Sequence, residues 1–154
     1  MAHALFEQDI FIAASPTIVR DLLAKLNNLA EMHPFIVKTQ LVKTETAPDG
    51  TKVEYYRIRD RMKLGPFTVQ FTYRANTSIN AAGEFVSDAY QSPGIHLHNI
   101  TTCYPEGDGA RVKEHIEITA PRLLMNITYN GAQTSHKEML ENLKKTAETT
   151  QKGI

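Results

Sequence analysis

Polar and apolar residues alternate along most of this chain, and the period lengthens only after the first segment and at the C-terminus. Phe6, Gln8, Ile10 and Ile12 fall on one face of an extended segment, with Glu7, Asp9 and Phe11 on the other. That alternation predicts a β-strand over Phe6–Ala14. Ser15-Pro16 is a helix start, a capping serine followed by proline in the first turn. Ile18, Leu22, Leu23 and Leu26 follow at helical spacing, Asn27-Asn28 weakens the helix, and Leu29–Met32 forms a second short one before Pro34. Strands are then predicted over Phe35–Thr44, Lys52–Met62, a segment from Phe67 through Tyr73, Glu84–Gln91, Ile95–Tyr104 and Ala110–Ala120. Turn sequences separate them: Pro48-Asp49-Gly50, Leu64-Gly65-Pro66, Ala82-Gly83, Ser92-Pro93-Gly94 and Pro105–Gly109.

From Pro121 to about Glu148 the period becomes helical. Leu124, Ile127, Thr128, Gly131, Ser135, Met139 and Leu143 share one face, and Lys137, Glu141, Lys144 and Lys145 lie opposite, with Glu141 and Lys145 spaced as an i,i+4 pair. Asn130-Gly131 either kinks this helix or leaves space over a cavity, since an interior glycine costs about 1 kcal/mol against alanine. The predicted fold class is α+β: a curved antiparallel sheet of six or seven strands wrapped on one long C-terminal helix, with two short helices after the first strand.

Composition narrows the function. The 154 residues suit one domain with one core. Seventeen basic residues balance seventeen acidic ones with no basic run, which argues against a nucleic-acid partner. No segment approaches the ~20 apolar residues that span a bilayer, so stable membrane insertion is not expected. The start of the chain, Met1-Ala2-His3-Ala4-Leu5-Phe6-Glu7, lacks the pattern of a signal peptide. Cys103 is the only cysteine, which fits a cytoplasmic location and leaves no thiolate-rich metal site.

The run Phe6-Glu7-Gln8-Asp9-Ile10-Phe11-Ile12-Ala13-Ala14-Ser15-Pro16, followed by Val19 and Leu22-Leu23, resembles the opening of the SRPBCC superfamily. This group includes the START, birch-pollen-allergen and polyketide cyclase/dehydrase-like proteins. Gly109-Ala110-Arg111-Val112 resembles the Gly-Thr-Arg-Val hairpin exit common before their last strand, and Ala120-Pro121 before a long helix is similar too. The resemblance implies a helix-grip fold with an internal apolar cavity. Many members bind lipids, sterols or aromatic compounds and some are cyclases. No universal catalytic residue exists to carry over, and no cofactor is implied.

The apolar faces of sheet and helix converge on one volume. Its expected lining is Tyr56, Phe67, Val69, Phe71, Tyr73, Val112 and Ile116 from strands, and Leu124, Ile127, Gly131, Ser135 and Met139 from the helix. Glu114 alternates in phase with Val112, Ile116 and Ile118, so a regular strand turns it inward, where burial raises a carboxyl's pKa unless donors hold the charge. The hairpin places Thr101 opposite Glu114, with Asn99 and Cys103 diagonal, making a polar end that anchors a ligand, handles protons, or serves structure alone. Asp60 shares a face with Tyr56 and Ile58. The expectation is that the strand bends there and exposes it; a regular strand makes it a second inward carboxylate. Arg57, Arg59 and Arg61 form a solvated outer face. His96, His98 and His115 fall on the convex side, His98 opposite Glu117, and no metal site is expected. His33 precedes Pro34 as a structural cap near the cavity mouth, His136 borders the cavity or meets solvent, and Cys103 is a small half-buried hydrophobe.

The expected function is binding or carriage of a small hydrophobic molecule such as a lipid, isoprenoid or aromatic polyketide. One rival is a cyclase- or dehydratase-like enzyme that uses Glu114 or Asp60 on a polyketide. A second is a ligand-gated interaction module built on the loops at Gly65 and Ser92-Pro93-Gly94.

Overall fold

The computed structural model describes the backbone of Met1–Ile154 and every side chain except those of Leu26, Asn27 and Leu64. The expected apolar contact of Leu26 therefore lies outside the described residues. Seven strands and three helices follow one another as β1 (Ala2–Ile12), α1 (Pro16–Leu23), α2 (Leu26–Met32), β2 (Ile36–Thr46), β3 (Lys52–Leu64), β4 (Phe67–Ile79), β5 (Phe85–Gln91), β6 (Ile95–Glu106), β7 (Gly109–Ala120) and α3 (Met125–Lys152). The strands form one antiparallel sheet in the order β1-β7-β6-β5-β4-β3-β2. This is the α+β helix-grip architecture.

Local chemistry explains the boundaries. Ser15 caps α1, its Oγ accepting the Ile18 N–H at 3.3 Å, and Pro16 occupies the first turn. The two short helices separate at Ala24-Lys25, slightly before the expected Asn27-Asn28. Gly65 turns the β3–β4 hairpin at φ +60°, a left-handed conformation that suits glycine. At Gly109 the first strand closes on the last so tightly that an added Cβ would collide with the Ile12 carbonyl oxygen. The hairpin exit keeps glycine there for that reason. β2, at the sheet edge, carries two register shifts, between Ile36 and Lys38 and between Leu41 and Lys43, and such bulges bend a strand.

α3 starts later and ends later than its periodicity predicts. Pro121–Leu124 forms a turn closed by Leu124 N–H on the Pro121 carbonyl at 2.9 Å, so the helix proper begins at Met125. Its C-terminal turns are held by tertiary bonds. Gln151 Oε1 accepts the Ser15 N–H at 2.9 Å, Glu148 Oε1 accepts the Ala13 N–H at 3.0 Å, and Lys144 Nζ donates to the Phe11 carbonyl at 3.0 Å. The i,i+4 ion pair of this helix is Lys144–Glu148 at 2.6 Å. The helix runs unbroken through Asn130-Gly131.

The core lies in two parts. Ile12, Val19, Leu23, Ala110, Val112, Leu140, Leu143 and Ala147 pack solidly where the C-terminal half of α3 meets β1, α1 and β7. Phe6, Ile95, Ile116, Ile118, Ala120 and Ala132 form a second cluster near the start of α3. α3 packs mainly on β1, α1, α2 and β7, which leaves the volume under β3–β5 unfilled by the helix.

Candidate ligand-binding cavity

That unfilled volume is a cavity of about 470 Å³. Its sheet wall is Ile58, Met62, Val69, Phe71, Tyr73 and Ala75 from β3 and β4, with Ala89, Leu97, Asn99 and Ile116 from β5–β7. Its roof is α3, through Leu124, Ile127, Thr128, Gly131, Ala132, Ser135, His136 and Met139. Leu29, His33, Phe35 and Ile36 close the α2 side, and Ser92 and Pro93 the β5–β6 turn. A Cβ on Gly131 would meet only Met62 Cε, at 3.9 Å, so this glycine leaves room over the cavity rather than bending the helix. Val69 and Ile127 are 37% and 47% exposed and mark the side open to solvent.

Three expected wall residues line neither this cavity nor the chamber beside it. Phe67 sits at the tip of the β3–β4 hairpin and is 71% exposed. Val112 is fully buried but lies under the solid half of α3. Tyr56 bonds Glu54 through its hydroxyl, and burial with that bond pushes its pKa up to about 12.

Asp60 corrects another expectation. β3 stays regular through it, pairing Asp60 with Phe71 on one side and Ile36 on the other, and the Arg61 N–H bonds the Phe35 carbonyl at 2.8 Å. The β3–β4 register continues unbroken past Asp60, and the residue is buried and lines the cavity instead of being exposed. Burial pushes its pKa up to about 6, partly opposed by a hydrogen bond from Tyr73. Burial and the Asp60 charge hold the Tyr73 phenol well above its ordinary value. Asp60 Oδ1 has no partner among the described residues. Arg57, Arg59 and Arg61 are exposed on the outer face, as alternation requires.

Glu114 points inward and is 2% exposed. Thr101 stands opposite it on β6 and Gln8 opposite on β1, with Asn99 and Cys103 diagonal. Its Oε2 accepts from Gln8 Nε2 at 2.8 Å and contacts His136 Nδ1 at 3.1 Å, whereas Oε1 has no partner among the described residues. A carboxylate accepting from Nδ1 fixes the proton there and orients the ring. Glu114 and Thr101 line a smaller adjoining chamber of about 180 Å³. The pairing of Glu114 with Gln8 and His136 is not read from the sequence. Two cues for it exist: Gln8 is in phase with Phe6 and Ile10, and His136 follows Ser135 on the roof face.

His33 combines a backbone role with a place in the wall. Its Nδ1 accepts the Phe35 N–H at 3.2 Å, and its ring meets His136 edge-on at 5.8 Å. Burial, then the His136 charge, pushes its pKa down to about 3. At neutral pH it is an uncharged imidazole carrying its proton on Nε2. On the convex side His98 does stand opposite Glu117, but His96 and His98 both bond Asp88, at 2.7 and 2.8 Å, while His115 takes Glu7 and Glu117. Among the described residues no cluster of three or more His, Cys, Asp or Glu side chains is arranged to hold a metal. Cys103 is half-buried and packs against the larger core cluster, and burial raises its thiol pKa. No helix among the described residues is long and apolar enough to cross a membrane.

Solved structures share this fold at low sequence identity. The Zhui aromatase/cyclase of Streptomyces sp. R1128 superposes with a TM-score of 0.73 at 12% identity, covering 96% of this chain and 94% of that one. The protein TTHA0849 of Thermus thermophilus gives 0.69 at 17% identity, covering 96% and 99%. A START superfamily protein of Mycobacterium smegmatis gives 0.66 at 12%, covering 97% and 99%. No curated protein matches the chain in sequence. The family profile described as "Polyketide cyclase / dehydrase and lipid transport" matches residues 3–148, nearly the whole chain. The chain therefore belongs to the polyketide cyclase/dehydrase and lipid transport family.

Proposed function

We propose that residues 1–154 form one ligand-binding domain that holds a small hydrophobic molecule between the sheet and α3. A lipid, an isoprenoid or an aromatic polyketide fits the description. The observation that carries this reading is the mainly apolar cavity of about 470 Å³, left open by a helix that packs on one side of the sheet. Affinity comes from removing apolar ligand surface from water, at roughly 25 cal/mol per Å². Orientation comes from the few polar groups in the wall, chiefly Asp60 with Tyr73, and His136. A cytoplasmic setting accords with one unpaired cysteine. Native mass spectrometry of freshly purified protein tests the reading: a retained hydrophobic small molecule, or uptake of one on addition, is expected. A protein that neither retains nor takes up any apolar molecule would refute it.

A second reading, a cyclase- or dehydratase-like enzyme, is favoured by the His136–Glu114 contact at 3.1 Å and by Asp60, whose pKa of about 6 suits proton transfer near neutrality. Glu114 holds the proton of His136 on Nδ1, which leaves Nε2 to accept one from a bound substrate. His136→Gln then abolishes turnover of a polyketide substrate while binding persists. Equal turnover by the variant removes His136 from the chemistry.

A further inference from the structure

We propose that the small chamber beside Glu114 is a second subsite, which takes the hydroxyl group of an amphiphilic ligand whose apolar body fills the main cavity. The inference rests on the reading of the main cavity as a hydrophobic ligand site and adds the chemistry of the ligand's other end.

Glu114 is the starting point. One carboxylate oxygen is occupied by Gln8 and His136, and the other is buried with no partner among the described residues. A buried polar atom left unpaired costs about 1–3 kcal/mol, more when charged, so such atoms mark places where something else binds. Glu114 lines the smaller chamber, not the larger cavity. The two spaces adjoin, because Leu29, Thr77, Ser87, Asn99 and Met139 line both. At about 180 Å³, the chamber has room for roughly six waters at their liquid volume, or for a short polar head.

The groups left unpaired select the head. Thr101 donates its hydroxyl proton to Asn99 Oδ1 at 3.4 Å. That leaves the Asn99 amide N–H groups as donors and Glu114 Oε1 as an acceptor. A hydroxyl satisfies both kinds at once, donating to the carboxylate and accepting from the amide. An ammonium has no acceptor for the amide, and a carboxylate would face Glu114. Leu23 and Phe85 give the chamber apolar wall beside these groups. Lys52 and Glu54, which also line it, pair with each other at 3.7 Å. The passage to the main cavity runs past Leu29 and Met139.

Three probes separate the possibilities by calorimetric titration of the full chain: butylnaphthalene, the matched naphthylbutanol and the matched naphthylbutylamine. The alcohol is expected to bind about tenfold tighter than the hydrocarbon, the worth of one hydrogen bond to a charged acceptor, and the amine no tighter than the hydrocarbon. In Glu114→Gln the amide oxygen stays on Gln8 and His136 and turns its NH₂ into the chamber. The alcohol's advantage then falls to twofold or less while hydrocarbon affinity holds. Equal binding of alcohol and hydrocarbon by the unmodified protein means that the chamber holds water only and overturns the proposal, leaving the main-cavity reading intact. Tightest binding of the amine overturns it in favour of a cation subsite. Failure of all three probes removes the main-cavity reading and this one with it. Should Glu114→Gln not fold, the comparison in the unmodified protein decides alone.

Discussion

Asp60 and His33 face the same cavity, and burial shifts them toward opposite pH behaviour. Asp60 ordinarily titrates near 3.8 and here near 6, so between those values the folded protein holds the proton that the unfolded chain has released. Its contribution to stability is full below pH 3.8 and lost as pH rises through 6. His33 ordinarily titrates near 6.5 and here near 3, so its contribution is full above 6.5 and lost as pH falls through 3. Moving the Asp60 value from 3.8 to about 6 corresponds to roughly 3 kcal/mol. Asp60→Asn is therefore expected to stabilise the fold at pH 8 by about 2 kcal/mol and to change little at pH 4, as read by urea denaturation. His33→Asn is expected to flatten the acid loss between pH 6.5 and 3. The same effect of Asp60→Asn at both pH values would show that its carboxyl is not the titrating group.

The same residues show what a sequence can disclose. Glu114 is legible because Val112, Ile116 and Ile118 fix its phase, and the turn at Pro105–Gly109 fixes the register that sets Thr101 opposite. Asp60 is not legible, because exposure there depends on whether an edge-side strand bends, which neighbouring strands decide. The partners of Glu114 come from β1 and α3, more than a hundred and about twenty residues away along the chain, and no local spacing encodes them.

Among the elements, hairpins and short helices follow their local chemistry closely, while the ends of α3 do not, because side-chain bonds to Ala13 and Ser15 set its C-terminal turns. Phe67 shows a related limit. Its alternation is perfect, but it lies at the hairpin tip, where no other element covers it. Two substitutions test the elements. Gly109→Ala pushes a methyl group into the Ile12 carbonyl and is expected to cost about 1–3 kcal/mol in a thermal or urea melt. A melt unchanged from the parent would mean that the β1–β7 corner has slack. Gly131→Leu removes a helix-interior glycine, worth about 1 kcal/mol in propensity, and fills cavity space next to Met62. It is expected to keep or raise the unfolding midpoint while weakening an environment-sensitive apolar dye by about tenfold or more. Undiminished dye affinity in the folded variant counts against the cavity as the binding site.

At the scale of the whole molecule, the larger core cluster and the cavity meet only along Leu29 and Met139. Leu143 is fully buried in the solid cluster. Leu143→Ala is expected to cost about 2–5 kcal/mol yet to leave affinity per folded molecule unchanged, measured by dye titration well below the melting range. A ligand at a hundred times its Kd adds about 2.7 kcal/mol to stability, so it rescues much of that loss without touching the damaged region. A parallel fall in affinity would mean that the two regions are not independent.

The unbroken course of α3 through Asn130-Gly131 has a consequence for how such a protein diversifies. Its C-terminal end is bolted to the first strand and first helix, its start is seated through Met125, Tyr129 and Ala132 on the second cluster, and between them Ile127, Gly131, Ser135 and His136 face the cavity. Those positions can be exchanged for new ligand shapes while the two seated ends hold the helix at a fixed height. Pocket and anchorage thus interleave along a single element, meeting at Ala132 and Met139, and selection can rewrite the positions that face only the pocket while conserving those that anchor.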